Sequence, residues 1–406
     1  MKILQINKFH YIKGGSERVF FDTIKILEKA GHQVSVFSME DKLNLSSKYS
    51  NYFVKNIDYY KKQGLLDKIS TAIDFVWSSD AKVNLEKLIK KEKPDIAHLH
   101  NFTHQLSPSI LSVLKKHNIP VVQTLHDYQL ICPNGRLFTQ NKICERCKKT
   151  KFYNAIIHKC LYDSYAGSAL GCLDLYLQRI FTTNKERIDL FIAPSKFMKK
   201  KTKDWGIKNK IVHLRYSLDL KDFQPNPTPG KYLIFVGRLS SEKGLFTLLK
   251  AMKNLPKVQL KIVGTGPIEK DLKDFTKKKG LKNVEFTGRK TGQSLKNLIS
   301  KSRVVVVPSE WYENYPVAVL EAKAMAKPVL GADIGGIPEQ VKDGKTGWLF
   351  KSGNVKDLTE KIQVIYFDDE KIEKAGLAAR KSVEKQNSEQ KYLESLEKIY
   401  EKLVSL

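Results

Sequence analysis

The chain has 406 residues, 41% of them hydrophobic, which is room for two cores rather than one. No apolar run approaches bilayer-spanning length and the opening MKILQINKF is a strand pattern rather than a signal peptide, so a cytoplasmic protein is expected. The formal net charge is +28, with 10 Arg among 71 basic residues; a Lys-dominated excess speaks against nucleic-acid recognition through planar forks and for solvated basic faces.

The charge is uneven: residues 1–215 hold 37 basic and 19 acidic side chains, and the remainder holds 34 and 24. A more basic first half suits an anionic acceptor, or peripheral contact with an anionic membrane surface on its inner face. In chain order, KILQI predicts a first strand. A helix should follow Gly14–Gly15, capped by Ser16, with Val19, Phe20, Ile24 and Leu27 on one face and Gly31 as its stop. The two glycines would let a ligand approach the helix start closely. They form neither GxGxxG nor a P-loop, so a dinucleotide cofactor is disfavoured. QVSVFS completes a βαβ start. The polar stretch from Asn56 to Lys93 is expected to be mostly helical. DIAHLH, PVVQTL and DLFIAPS read as further strands. Alternation places His98 and His100 on one strand face, where they read as satisfied polar residues, as does His104 nearby.

Cys132, Cys144, Cys147 and Cys160 give C-x11-C-x2-C-x12-C, with Cys172 left over. In a cytoplasmic chain that spacing predicts a structural zinc site; His158 is a substitute ligand, and free thiols or redox pairing are the alternatives.

Pro225, Pro227, Pro229 and Gly230 mark a linker, after which strand-then-helix restarts. YLIFVG, VQLKIVG, VEFTG, RVVVVPS, KPVLGA and GWLF read as strands. Runs such as VVVV suit a parallel sheet covered on both faces. The tail, with Tyr392, Leu393, Leu396, Ile399, Tyr400 and Leu403 on one stripe, is a helix in need of a surface.

Three turns in the second half carry chemistry. FVGRLSSEKG sets Arg238 and Lys243 across a strand-to-helix turn, a fork and a point charge suited to two phosphates. VGTGP, with Gly264 and Gly266, is a turn of the same type. EWYENYPVAVLE holds Glu313 and Glu321 on either side of a helix start, with Pro316 as the first helical residue. A helix N-terminus attracts an anion, and Glu321 can accept from a ribose. Glu313 is left for another hydroxyl-bearing part. Together these describe a nucleotide-sugar.

GGSE, TLHDY, APSKFMKK, FVGRLSSEKG, VGTGP and PSEWYENYPVAVLEAKAMAKPVLGADIGGIPE stand in an order that resembles glycosyltransferase family 4 over essentially the whole chain. The resemblance implies a retaining hexosyltransferase of GT-B fold: two Rossmann-like doubly wound domains facing across a cleft, with the C-terminal helix crossing back to the first domain. The corresponding boundaries are 1–215, with a Cys-rich insertion at about 130–162, a linker over 216–230, a donor domain over 231–385, and the tail over 386–406. It implies that Arg238 and Lys243 bind the donor diphosphate, Glu321 the ribose, and Glu313 the sugar ring. The backbone of Asn314, Tyr315 and Pro316 would touch sugar and phosphate, His126 would lie near the reacting sugar, and Gly14–Gly15 would close over the phosphates. The expected partners are a nucleotide-sugar donor and a sugar or lipid-linked acceptor, with no nucleic acid; no catalytic metal is expected. The chain departs from the family at Tyr216-Ser217-Leu218-Asp219, where the hinge often reads Asn-Gly, and in the bulky Trp311 and Tyr312. A phosphorylase or epimerase on the same scaffold, or a basic binding protein, are the competing readings.

Overall fold

The computed structural model describes residues 1–56, 77–104, 106–182 and 187–405. It divides into two compact units: Met1–Leu137, Cys144–Ser217 and Gln390–Leu406 form the first, while Phe138–Ile143 and Leu218–Glu389 form the second.

The first unit is built on six parallel strands, β1 (Lys2–Ile6), β2 (Gln33–Phe37), β3 (Ile96–Leu99), β4 (Val121–Thr124), β7 (Leu190–Ala193) and β8 (Lys210–His213), in the order β2-β1-β3-β4-β7-β8; between β4 and β7 in the chain, β5 (Phe138–Thr139) and β6 (Lys142–Ile143) form a short antiparallel pair. β3 and β7 are buried along their full length, as strands covered on both faces must be. Register pairs Ile3 with Ile96 and Leu99 with Gln123. The helix Gly15–Lys29 is capped by Gly14 with no side-chain bond; Ser16 sits inside the first turn and donates to Glu17 Oε1 at 3.0 Å. The expected Ser16 cap fails because the helix begins one residue before it. Gly31, at φ +85°, supplies the left-handed residue that stops the helix. Of the stretch expected to be helical between Asn56 and Lys93, residues 57–76 lie outside the described residues, and Ser79–Glu92 is a helix capped by Ser78.

The tail helix Glu389–Val404 packs on the first sheet. Tyr392, Leu396 and Tyr400 join Ile3, Ile26, Ile96, Val122 and Ile192 in one buried cluster. Its polar atoms are engaged as well: the Tyr392 and Thr23 hydroxyls lie 3.1 Å apart, and Glu397 meets His32 at 2.9 Å.

The second unit repeats the plan with β9 (Tyr232–Val236), β10 (Gln259–Val263), β11 (Val284–Gly288), β12 (Val304–Val307), β13 (Val329–Ala332) and β14 (Gly347–Phe350), ordered β11-β10-β9-β12-β13-β14 and all parallel. In each sheet the first strand has neighbours on both sides, so the chain direction of the winding reverses there. Crevices beyond the carboxyl ends of the strands at such switch points are where ligands bind in doubly wound folds. β1/β3 and β9/β12 mark them. Among the described residues no helix is long and apolar enough to cross a membrane.

Candidate active site

At the second switch point, Gly237–Lys243 follows β9 and Ser309–Glu313 follows β12. The adjacency of those strands brings side chains 70 positions apart into contact: Lys243 Nζ donates to Glu313 Oε1 at 2.7 Å, and Ser309 Oγ donates to the same oxygen at 2.7 Å. The Lys243 ammonium also lies 5.0 Å from the Trp311 ring centroid. Burial pushes the Glu313 carboxyl upward, but the Lys243 charge and the bonds from Lys243 and Ser309 outweigh it, and the group rests below its ordinary value. Glu313 is therefore an anion pinned by a cation, and it can accept from hydroxyl groups. Arg238, on the same turn as Lys243, is exposed.

The helix entered from this loop is Val317–Ala324. Pro316 is its cap, in extended conformation, one place earlier than the first helical position expected for it. Glu321 stands in the second turn and is buried. Asn314 and Tyr315 are buried too, and the Tyr315 hydroxyl accepts from Asn387 Nδ2 at 3.1 Å. Their side chains serve the core, which leaves the backbone as what this segment can offer a ligand.

The glycines of this region have a packing reason that is plain in the structure. Gly264 has φ +140°, and a Cβ there would collide with the Gly237 carbonyl; a Cβ on Gly266 would collide with that of Leu239. Leu239 N donates to Thr265 O at 3.0 Å, binding the two turns together. These glycines are required by close packing of the turn that carries Arg238 and Lys243, whatever else they touch. Gly335, at φ +61°, likewise admits the Glu313 backbone, and Gly336 N donates to Glu313 O at 2.7 Å. That support for Glu313 was not anticipated from sequence, although IGGIPE shows the glycine pair.

In the first unit, β1, β3 and β4 converge on a cluster of histidines. His98 and His100 stack with centroids 4.6 Å apart, and His100 and His126 at 5.0 Å. Burial pulls all three far below the ordinary histidine value, His98 and His126 to about 3. They are neutral at any physiological pH. Both nitrogens of His126 are engaged: Nε2 with His100 Nδ1 at 2.8 Å, and Nδ1 with the Tyr216 hydroxyl at 2.8 Å. A cavity of about 20 Å³, space for one water, lies beside His100, His126, Asp127 and Gln123. At Gly14 the backbone is extended and an added Cβ would make an ordinary contact at 3.6 Å to Glu17. Neither strain nor crowding demands glycine there.

Cys132, Cys144, Cys147, Cys160 and Cys172 are all free thiols. They gather in one region: burial pushes Cys147 far up, and the other four add to it. Cys132 donates to Asn134 Oδ1 at 3.1 Å and Cys172 to the Phe152 carbonyl at 2.9 Å. Among the described residues no three or more His, Cys, Asp or Glu side chains converge at metal-binding distance. Burial favours the protonated thiol at Cys132, Cys147 and Cys172, and a metal bound there would have to displace those protons.

Residues 13–220 match the model of Glycosyltransferase Family 4, and residues 218–382 that of Glycosyl transferases group 1. The chain belongs to glycosyltransferase family 4. An uncharacterized glycosyltransferase of Methanocaldococcus jannaschii is 25% identical over 99% of both chains. A putative colanic acid biosynthesis glycosyltransferase of Escherichia coli K12 is 30% identical over 44% of this chain and 47% of its own length. HepE from Anabaena, crystallised with UDP and glucose, superposes with a TM-score of 0.68 at 18% identity over 100% of both chains. The protein is a GT-B glycosyltransferase.

Proposed function

We propose that this glycosyltransferase moves a hexose-type sugar from a UDP- or GDP-linked donor to a hydroxyl acceptor, with retention at the anomeric carbon, in the assembly of cell-surface polysaccharide or glycolipid. The observation that carries the reading is the Lys243–Glu313 pair at the β9/β12 switch point, 2.7 Å between a cation suited to phosphate and an anion suited to sugar hydroxyls. Support comes from the colanic acid relative and from the fold shared with HepE, whose crystals hold UDP and glucose.

In this reading Lys243 and Arg238 take the donor diphosphate, Glu321 the ribose and Glu313 the sugar ring. The backbone of Asn314, Tyr315 and Pro316 meets sugar and phosphate. Gly14, Gly15 and His126 in the first unit keep the roles the resemblance implies. The acceptor oxygen attacks the anomeric carbon on the face from which the nucleoside diphosphate departs. The bond to the β-phosphate oxygen breaks, and that oxygen takes the acceptor's proton. Fixed cations stabilise the charge that develops on the leaving group, the task a divalent metal performs elsewhere.

Lys243→Ala should lower transfer by about 10²–10³-fold while far-UV dichroism stays unchanged; full turnover in this variant removes the diphosphate clamp. A panel of UDP- and GDP-sugars should contain at least one that raises the melting temperature of the wild-type chain. No rise with any of them sinks the nucleotide-sugar reading.

A further inference from the structure

The two nitrogens of His126 belong to a longer chain of side-chain hydrogen bonds through the first unit. Beyond His126 the chain runs from His100 Nε2 to Gln5 Oε1 at 3.1 Å, and from Gln5 Nε2 to the Tyr400 hydroxyl at 3.5 Å. Tyr400 meets His98 Nδ1 at 2.6 Å, and His98 Nε2 meets Thr124 Oγ1 at 2.7 Å. Gln5, His98, His100 and Tyr400 are fully shielded from solvent.

One member of this chain has a fixed polarity. An amide oxygen only accepts and an amide nitrogen only donates. Gln5 Oε1 faces His100 Nε2, so that nitrogen must carry the hydrogen. His100 is neutral, so its Nδ1 is a lone pair and accepts from His126 Nε2–H. His126 is neutral too, so its Nδ1 is a lone pair and accepts from the Tyr216 hydroxyl. On the other side Gln5 Nε2 donates to the Tyr400 oxygen, Tyr400 donates to His98 Nδ1, and His98 Nε2–H donates to Thr124. Every donor then points one way along the chain. Turning the Gln5 amide over would reverse His100 and His126 together.

We propose that Gln5, on β1, is a positioning residue that sets the tautomer of His126 through His100, holding Nε2 protonated and Nδ1 as the acceptor of the Tyr216 hydroxyl. The inference rests, for its catalytic consequence, on the reading that places His126 near the reacting sugar. It also defines what His126 does there. With both nitrogens engaged inside the protein, the ring is a fixed neutral surface and exchanges no proton with substrate. This agrees with a mechanism in which the departing phosphate takes the acceptor's proton. The tail helix enters through Tyr400, which fixes the far end of the chain.

The test is nitrogen-detected NMR of the full chain labelled at histidine, with transfer kinetics on the same samples. In the wild type His126 should show a protonated Nε2 and a bare Nδ1; the opposite tautomer overturns the proposal without any variant. Gln5→Met removes the polarity, and His126 should then populate both tautomers, with kcat reduced on the order of tenfold and the donor KM unchanged. Tyr216→Phe should leave Nε2 protonated, because Gln5 and His100 still impose it. A Gln5→Met protein in which His126 keeps its single tautomer refutes the control by Gln5. A changed tautomer with unchanged kcat refutes the positioning role, while a changed tautomer with no transferase activity even in the wild type is a failure of the functional reading instead.

Discussion

All nine histidines and all five cysteines lie before position 214, in the first unit, and neither residue type occurs between Leu218 and Glu389. Both units nevertheless wind a six-stranded parallel sheet whose first strand is flanked on both sides. The same architecture therefore supports two kinds of polar edge. In the first unit a cluster at and just beyond the strand ends is neutral, buried and internally bonded: His98, His100 and His126. In the second the polar groups are charged: Lys243 and Glu313 meet on turns whose close approach depends on Gly244, where a Cβ would collide with the Pro308 carbonyl. The difference teaches that a switch point fixes where polar chemistry collects, while turn composition decides what kind. A neutral network gives orientation, whereas a charged pair gives affinity for charged and hydroxylated groups.

The sharpest way to break the comparison is to remove the tail. A chain ending at Glu389 loses Tyr392, Leu396 and Tyr400 from the first unit's core and exposes the apolar face of Ile3, Ile96 and Val122. Calorimetry should show the first unit unfolded and the second retained; loss of both in one transition would mean that the units are not separately stable. The milder Leu396→Ala deletes a fully buried side chain and should destabilise the first unit by about 2–5 kcal/mol with no shift in the second.

Acid should separate the units next. His98, His100, His104, His126 and His10 all have folded values below the ordinary 6.5, with burial as the cause. The unfolded chain takes up protons below about 6.5 that the folded unit refuses until about 3 in the case of His98 and His126. Stability that is complete above pH 6.5 is thus lost as pH falls through that window. Asp174, raised by burial to about 7, and Asp127, also raised, oppose this by binding protons in the folded state. The buried histidines set the sign of the slope and the two aspartates lessen it, so Asp174→Asn should steepen it. Between pH 6.5 and 4.5 the second unit should hold, because the depressed carboxyl of Glu313 costs it stability only below the ordinary value of 4.5. Parallel melting of both transitions over this range would erase the distinction.

Much of this plan was legible in the sequence. Apolar runs such as VVVV at 304–307 announce buried parallel strands, because a side chain on either face must be apolar. The Glu313–Glu321 spacing across a proline announces a helix entered from a loop. What sequence could not supply was pairing. That Lys243 reaches Glu313 depends on β9 lying beside β12, which is a matter of sheet order. VGTGP reads as a turn beside the Arg238–Lys243 turn, but that Gly264 and Gly266 are needed for the Gly237–Leu239 backbone to pack there is visible only in the fold. His98 and His100 share one face as alternation predicts, but their partners, Gln5, Thr124, Tyr400 and His126, come from three other segments. The cysteine spacing brings the thiols close along the chain, and the structure gathers them in one region, but how deeply each is buried is not written in the spacing.

The smallest expected effect lies on the alkaline side, in the second unit. Lys327 is fully buried, its Nζ donates to the Thr228 carbonyl at 2.8 Å, and burial lowers its value from 10.5 to about 8. Between those limits the unfolded chain holds a proton that the folded unit has released. Stability of the second unit should therefore rise as pH goes from 8 towards 10.5 and stay level below 8, where both states hold the proton. Lys327→Met should abolish that rise. At pH 8 it should change the melting temperature little, since relief of a buried ammonium is offset by the unpaired Thr228 carbonyl, a loss of about 1–3 kcal/mol. A rise that persists in the methionine variant would move the alkaline response from Lys327 to other groups, the buried Lys323 first among them.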